Sequence, residues 1–224
     1  MRWQDKGYLL SLIKYNENSA IANFFTKDNG KVSGIIFGST SKKIKNYLFK
    51  GNKFHINFNS KQETKLGHIK IEIDCVNTPK YLDNKKKLFC VIYTMNIVEL
   101  LTVENQENLN IYQLLNDFFV LLDNNDWLIN FIFWELNFYK CIGYDIDFKN
   151  YVKKIIIDGE EKFIVESTNK IIPNFLINID IYPSNKKDIV NGFNIVGDFL
   201  EKTILKSNNI SIPLSRIELG NLIK

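Results

Sequence analysis

Cysteine and arginine are scarce in this chain of 224 residues, and each shortage excludes a class of site. The three cysteines, Cys75, Cys90 and Cys141, lie far apart and form no CxxC pair, which argues against a disulfide framework and a local zinc motif. Such cysteine usage suits a reducing cytoplasm. Only Arg2 and Arg216 carry guanidinium groups, so contacts to phosphate would be made mainly by lysine, which acts as a point charge.

Catalytic signatures are also absent from the sequence. It contains no Walker loop, no GxSxG, no HExxH and no dinucleotide-binding fingerprint. His55 and His68 are the only histidines, and no partner carboxylates stand at a fixed spacing from them, as general acid–base catalysis or a metal site would need. We therefore expect no catalytic residue, no cofactor and no metal site, and the chain is not expected to be an enzyme.

Long apolar runs are missing as well. The most apolar stretch, residues 127–142, is interrupted by Asn130, Glu135 and Lys140, which fits a buried or amphipathic helix rather than a membrane span. The first residues, MRWQDKGYLL, lack the long apolar core of a signal peptide. These features predict a cytoplasmic protein without a membrane partner.

The net charge of +4 is distributed unevenly along the chain. Residues 1–80 carry 14 lysines and arginines against 6 acidic residues, a charge of +8, whereas residues 81–224 carry 15 against 19, a charge of −4. Hydrophobic residues make up 45% of the chain, enough for a real core. The asymmetry predicts a basic N-terminal unit that meets a polyanion, joined to a slightly acidic remainder.

The first 80 residues show the alternation and turn signals of short β-strands. The Asn29-Gly30 pair between two apolar runs is a strong hairpin signal. The predicted strands cover residues 7–15, 19–26, 31–37, 53–60 and 66–76. Five short strands at regular spacing predict an oligonucleotide/oligosaccharide-binding (OB) barrel, with an SH3-like barrel as the alternative.

After Thr78-Pro79 the apolar period becomes helical. The predicted helices cover residues 84–101, 108–122, about 125–142, 188–205 and 214–223. Asn125 is the expected N-cap of the third helix, and Gly143 its C-terminal stop. Residues 155–165 contain two apolar runs about Asp158-Gly159 and predict a β-hairpin.

Together these patterns predict an α+β protein with two parts. Residues 1–79 form a five-stranded OB-fold β-barrel that binds nucleic acid. Residues 80–224 form a mostly α-helical domain that binds partners and carries a short β-hairpin insertion.

Lysines and aromatic residues near the third and fourth strands suit a groove that binds a nucleic-acid strand. Such grooves combine phosphate contacts with base stacking on exposed rings, although a charge run is more often simply a solvated surface. The aromatic residues Phe54 and Phe58 are expected to fill the barrel instead. The candidate DNA-binding residues are Lys31, Lys42, Lys43, Lys45, Lys50, Lys53, Tyr47 and Phe49.

Short motifs in a fixed order run through nearly the whole chain and are densest over residues 3–52. They are Trp3, Asp5 and Gly7, Glu17-Asn18-Ser19, Gly30-Lys31, Gly34, Gly38, Ser41-Lys42-Lys43, Gly51-Asn52, Trp134-Glu135-Leu136, Gly143-Tyr144 and Ile212-Pro213-Leu214. In order and spacing they resemble the RecO family of bacterial recombination mediators.

The resemblance implies an OB domain followed by a helical domain in a DNA repair protein of the RecF pathway. Members of this family bind single- and double-stranded DNA and anneal complementary strands. They contact the C-terminal tail of single-stranded DNA-binding protein (SSB) and, with RecR, help load RecA onto SSB-coated DNA. A location at the bacterial nucleoid is implied as well.

One segment departs from the family pattern. Many members carry a four-cysteine zinc site that corresponds to about residues 150–175 here, and this segment contains neither cysteine nor histidine. Because a tetrahedral zinc site needs four nitrogen or sulfur ligands, we expect a degenerate, zinc-finger-like hairpin without zinc.

Two other functions remain open on the sequence. The barrel of a structural adaptor would bind a protein and not DNA. Alternatively, Asp145 and Asp147 would bind the metal ion of a nuclease, which needs further acidic residues from elsewhere. Lysines stand at the start of one predicted helix, at 85–87, and before a later one, at 186–187. Because cations near a helix N-terminus oppose the helix dipole, these lysines indicate an anionic partner of the helical domain.

Overall fold

The computed structural model describes residues 1–61, 66–157, 160–165, 170–183 and 185–224. Two compact units make up the chain. The first comprises residues 1–119 with 213–222, and the second comprises residues 120–212 with 223–224. The first unit therefore contains more than the barrel. The division of DNA and partner binding near residue 79 stays a prediction, because contacts alone do not locate functions.

Five strands close into a barrel in the first unit. They are β1 (Arg2–Asn16), β2 (Ser19–Thr26), β3 (Gly30–Phe37), β4 (Lys53–Asn59) and β5 (Gly67–Cys75). Their order is β1-β2-β3-β5-β4, with β4 also paired to β1. Neighbouring strands are antiparallel except β3 and β5, which run parallel. This topology confirms the predicted OB barrel and its five strands.

Strand β1 closes the barrel because it pairs with two strands, β2 and β4. Its N-terminal half pairs with β4 and its C-terminal half with β2, and Gly7 lies opposite both Phe54 and Thr26. A Cβ atom on Gly7 would lie 2.9 Å from the carbonyl oxygen of Phe25. Glycine is therefore needed where the strand passes from one partner to the other, since a side chain there would collide with backbone.

Inward-facing side chains fill the barrel, as the two-residue period of a strand requires. Phe54 is buried as expected, while Phe58 is partly buried and packs against the core beside Trp3. Each fully buried apolar side chain contributes about 1.5–3 kcal/mol to folding. The core cluster consists of Leu9, Ala22, Phe24, Val32, Ile36, Phe54, Ile56 and Ile69.

The five predicted helices are present in the predicted order, together with two short additions. They are α1 (Lys42–Lys45), α2 (Lys85–Leu101), α3 (Leu109–Asp123), α4 (Trp127–Cys141), α5 (Asn174–Ile177), α6 (Lys186–Phe199) and α7 (Leu214–Ile223). The additions are α1 and α5, and the single turn α1 lies in the lysine-rich connection between β3 and β4. No helix among the described residues is long and apolar enough to cross a membrane.

Helix α4 begins and ends close to its predicted limits. Gly143 follows its C-terminus with φ +95°, a left-handed conformation that favours glycine. The predicted N-cap Asn125 is wrong by one residue. Asp126 is the N-cap, because the first helical hydrogen bond runs from Asn130 N to Asp126 O.

The buried Glu135 of α4 accepts a hydrogen bond from the Tyr139 hydroxyl at 2.9 Å, so this acid has the nearby donor that its burial requires.

The second unit carries a small antiparallel sheet of β6 (Val152–Ile157), β7 (Glu160–Val165) and β8 (Ile171–Ile172). Pairing of β6 with β7 confirms the predicted hairpin, although its turn at Asp158-Gly159 lies outside the described residues. Strand β8 is an addition that the short Ile171-Ile172 pair did not signal. After α6 the chain continues through a π-helical turn at Leu200–Leu205.

Candidate nucleic-acid interface

Three exposed lysines lie together on α1, which follows β3. Lys42, Lys43 and Lys45 belong to one helical turn that buries none of its residues. Its first turn contains no acidic residue, and none of the salt bridges formed by the described residues engages these three ammonium groups. They are therefore available to anions from solvent.

Hydrogen bonds and packing on both sides of α1 hold the connection between β3 and β4 in place. On the N-terminal side, the Asn18 carbonyl accepts from the Gly38 amide at 2.8 Å, and the Thr40 hydroxyl donates to Asn18 Oδ1 at 2.7 Å. On the C-terminal side, Asn52 Nδ2 donates to the Tyr47 carbonyl at 2.8 Å, and Leu48 packs against the barrel core. The lysines therefore belong to a turn that is held in place before DNA binds, and this lowers the entropy lost on binding.

A groove of about 340 Å³ runs beside α1, and its lining includes both a lysine of α1 and one of the two aromatic rings predicted to stack on bases. Lys43, Tyr47 and Ile73 are among its lining residues. The Tyr47 side chain is 41% exposed and Phe49 36%, so both rings offer surface for base stacking. Glu72 lines the same groove, and its carboxylate would repel phosphate there.

The other three candidate lysines do not join this surface, because their ammonium groups have partners within the first unit. Lys31 Nζ donates to the Glu99 carbonyl at 2.8 Å, and Lys50 Nζ donates to Asn96 Oδ1 at 2.6 Å. Burial lowers the pKa of Lys50, although Glu99 acts in the opposite direction. A DNA-binding role for Lys31 and Lys50 stays a prediction, and phosphate would have to compete with these partners.

Lys53 is held by two tyrosine rings. Its Nζ atom lies 5.1 Å from the ring centroid of Tyr8 and 5.0 Å from that of Tyr112, and it donates to Asn116 Oδ1 at 2.8 Å. Burial lowers its pKa, partly offset by Asp74. These contacts are typical of a stabilising cation–π cluster, and a DNA contact by Lys53 stays a prediction.

Phe37 is an exposed ring that sequence reasoning did not propose as a contact. It ends β3, is 57% exposed, and its ring centroid lies 4.9 Å from that of His68 on β5. The alternation along β3 buries Val32 and Ile36, so the same period points Phe37 outwards. That pattern was the available signal.

The metal-nuclease alternative finds no support in the contacts of its acidic residues. Asp145 pairs with Lys140 at 2.9 Å, and Asp147 caps a 3-10 turn by accepting from the Lys149 amide at 3.0 Å. Within the part of the chain that the structure describes, no group of three or more histidine, cysteine or acidic residues is placed to hold a metal ion.

Family models match both parts of the chain. The model described as "Recombination protein O N terminal" matches residues 1–75, and that described as "Recombination protein O C terminal" matches residues 83–168. Together they cover more than two thirds of the sequence.

Similar curated proteins extend the match to the full length. The chain is 25% identical to "DNA repair protein RecO" of Ehrlichia chaffeensis, in an alignment that covers 100% of the chain and 98% of the relative. It is 24% identical to the protein of that name from Wolbachia pipientis wMel, covering 100% and 99%. For Rhodospirillum centenum the identity is 19%, covering 96% and 92%. The chain belongs to the RecO family of DNA repair proteins.

Proposed function

We propose that this protein binds single- and double-stranded DNA through the barrel surface around α1 and anneals complementary strands. The observation that carries the proposal is the exposed group Lys42, Lys43 and Lys45 beside the ring of Tyr47. Ammonium groups on a positioned turn suit phosphates, and neighbouring rings suit unpaired bases. Such contacts track a backbone and do not read a sequence.

The proposed mechanism is noncovalent. Lysines that contact the phosphates of two strands at once reduce the repulsion between the strands and raise their local concentration. Complementary bases can then pair and form the duplex. This mechanism uses no bond chemistry, metal ion or nucleotide, so the protein acts as a mediator and not as an enzyme.

The proposal extends to the partners of the RecF pathway. Membership in the RecO family supports binding to RecR and to the acidic tail of SSB, and hence a role in loading RecA onto SSB-coated DNA at the nucleoid, in the cytoplasm. In the first unit, Lys85 and Lys86 are exposed at the start of α2; in the second, Lys186 and Lys187 are exposed at the start of α6. Either pair suits an anionic peptide.

A charge-reversal experiment tests the DNA site. We expect the triple variant Lys42→Glu, Lys43→Glu and Lys45→Glu to bind single-stranded DNA at least about tenfold more weakly at low salt, and to lose acceleration of annealing of SSB-coated oligonucleotides. The control variant reverses Lys14, Lys27 and Lys80, which are exposed elsewhere on the first unit.

Two results would refute the proposal. One is annealing that is no faster with the wild-type protein than without it. The other is equal loss of DNA affinity in the control variant, because the net charge and not the position of α1 would then be responsible.

A barrel that binds protein instead of DNA is the second candidate. Three large apolar side chains of the barrel strands are more than half exposed, Ile13 and Tyr15 at 58% and Phe37 at 57%, and apolar surface of this kind is available to a protein partner. Unchanged DNA affinity in the α1 variant, together with loss of partner binding in an Ile13→Ser variant, would favour this adaptor.

A further inference from the structure

A second cavity in the first unit has the opposite charge to the α1 surface. It measures about 630 Å³, a size found for ligand-binding cavities. Its polar and aromatic lining includes Trp3, Phe58, Asp28, Asn29, Glu104 and Glu107. None of the lining residues that the structure describes is a lysine, arginine or histidine, although residues 1–80 carry a net charge of +8.

The apolar part of the lining is a stacked aromatic pair. The ring centroids of Trp3 and Phe58 lie 4.7 Å apart with an angle of 9° between the planes. Both rings are only partly buried, so the pair keeps surface towards the cavity. Among side chains, indole offers the best face to a cation.

The carboxylates belong to segments that the fold holds in place. The Ser33 hydroxyl donates to Glu104 Oε1 at 2.9 Å, and the Asn105 amide donates to the Lys31 carbonyl at 2.8 Å. These bonds attach Glu104 and Asn105 to β3, three and two residues before Glu107. Because the segment that carries Glu104 and Glu107 is already held in place, binding a ligand there costs little conformational entropy.

The turn between β2 and β3 supplies the third carboxylate. Asp5 Oδ2 accepts from the Asp28 amide at 2.9 Å and from Asn29 Nδ2 at 2.8 Å, which fixes the turn against β1. The cationic group among the described lining residues, the ammonium of Met1, donates to the Ser60 carbonyl at 2.7 Å.

Asp28 also pairs with the Lys27 ammonium at 3.7 Å, so Glu104 and Glu107 carry most of the negative charge of the cavity. The cavity therefore still presents more negative than positive charge and disfavours phosphate.

We propose that this cavity binds an arginine side chain presented by a partner protein. A guanidinium group is planar, stacks on aromatic faces and directs its donors to more than one carboxylate. The aromatic pair and the three carboxylates offer these two kinds of contact within one cavity. The interaction lies beyond the DNA binding proposed above, and it provides a protein contact that phosphate does not compete for.

A short peptide tests the proposal on the full-length protein. The probe is acetyl-Gly-Arg-Gly-amide, and its neutral counterpart replaces arginine by citrulline. Binding is followed by the indole N–H resonance of Trp3, assigned with a Trp3→Phe variant. We expect the arginine peptide to shift this resonance with a dissociation constant on the order of 1 mM, and the citrulline peptide to bind several times more weakly.

Matched double variants locate the charge. Glu104→Gln with Glu107→Gln should weaken arginine-peptide binding by about tenfold, because each exposed carboxylate contributes a modest electrostatic attraction. Glu17→Gln with Asp83→Asn removes the same charge from exposed sites of the first unit outside the cavity and should leave the affinity within twofold. Circular dichroism verifies that both variants are folded.

Several outcomes would overturn the proposal. They are the absence of a Trp3 shift at about 20 mM peptide, equal affinity for the citrulline peptide, and an unchanged affinity of the cavity variant. A Trp3 shift caused by magnesium chloride or by a short DNA strand, but not by the peptide, would assign the cavity to another ligand. All of these outcomes depend on the peptide and on residues of the cavity. They are therefore distinguishable from a failure of the proposed DNA binding, which the α1 variant tests.

Discussion

The salt dependence of DNA binding gives a direct count of the lysines that contact phosphate. For a single strand, each contact contributes about −0.7 to the slope of log K against log salt concentration. The three exposed lysines of α1 therefore account for a slope of about −2. Lys31, Lys50 and Lys53 are engaged with partners inside the first unit and should add little.

Neutralising the α1 lysines should remove that contribution. Between about 50 and 200 mM salt, a slope of −2 changes the affinity by a factor of roughly 20. We expect the triple variant Lys42→Gln, Lys43→Gln and Lys45→Gln to lose most of this dependence, whereas Lys50→Gln should retain it. Fluorescence anisotropy of a labelled oligothymidine, titrated at four or five salt concentrations, measures both slopes.

The result that would refute this reasoning is a wild-type slope that the triple variant reproduces. Phosphate contacts would then lie elsewhere, and the exposure of the α1 lysines would be that of a solvated surface. A slope that falls equally in the Lys50 variant would show that the internal hydrogen bond of Lys50 gives way to DNA.

Three further predictions concern the barrel and its tyrosine cluster. Lys53→Ala should lower the free energy of unfolding by about 1–3 kcal/mol, measured in urea, because it removes two cation–π contacts and the bond to Asn116; equal stability would refute this. Gly7→Ala should cost about 1–3 kcal/mol, since its Cβ would meet backbone, and an unchanged urea midpoint would contradict the close approach. Burial raises the pKa of Tyr112 to about 12, above the ordinary value of 10, so its contribution to stability is complete below pH 10 and is lost as the pH rises towards 12. Unfolding titrations at alkaline pH should show this loss, and Tyr112→Phe should make it shallower.

Local patterns in the sequence determined the secondary structure and the class of fold. Strand period, helix period and turn residues depend on neighbours within a few positions, so β2 to β5 and α7 were predicted closely, whereas β1 begins at Arg2, well before its predicted start at Gly7. The same local patterns predicted the burial of Phe54 and the glycine, Gly143, that follows the C-terminus of α4. The short strand β8 could not be predicted in this way, because two isoleucines carry no period and become a strand only by pairing with β7.

The tertiary structure alone decided which charged groups are available to a ligand. All six candidate lysines look alike in the sequence, but Lys31, Lys50 and Lys53 meet partners 46 to 68 positions away, a separation that no local pattern registers. The cavity of Trp3, Phe58 and Glu104 likewise joins three distant segments. Periodicity tells which face of an element a side chain occupies, and only packing determines what stands opposite that face.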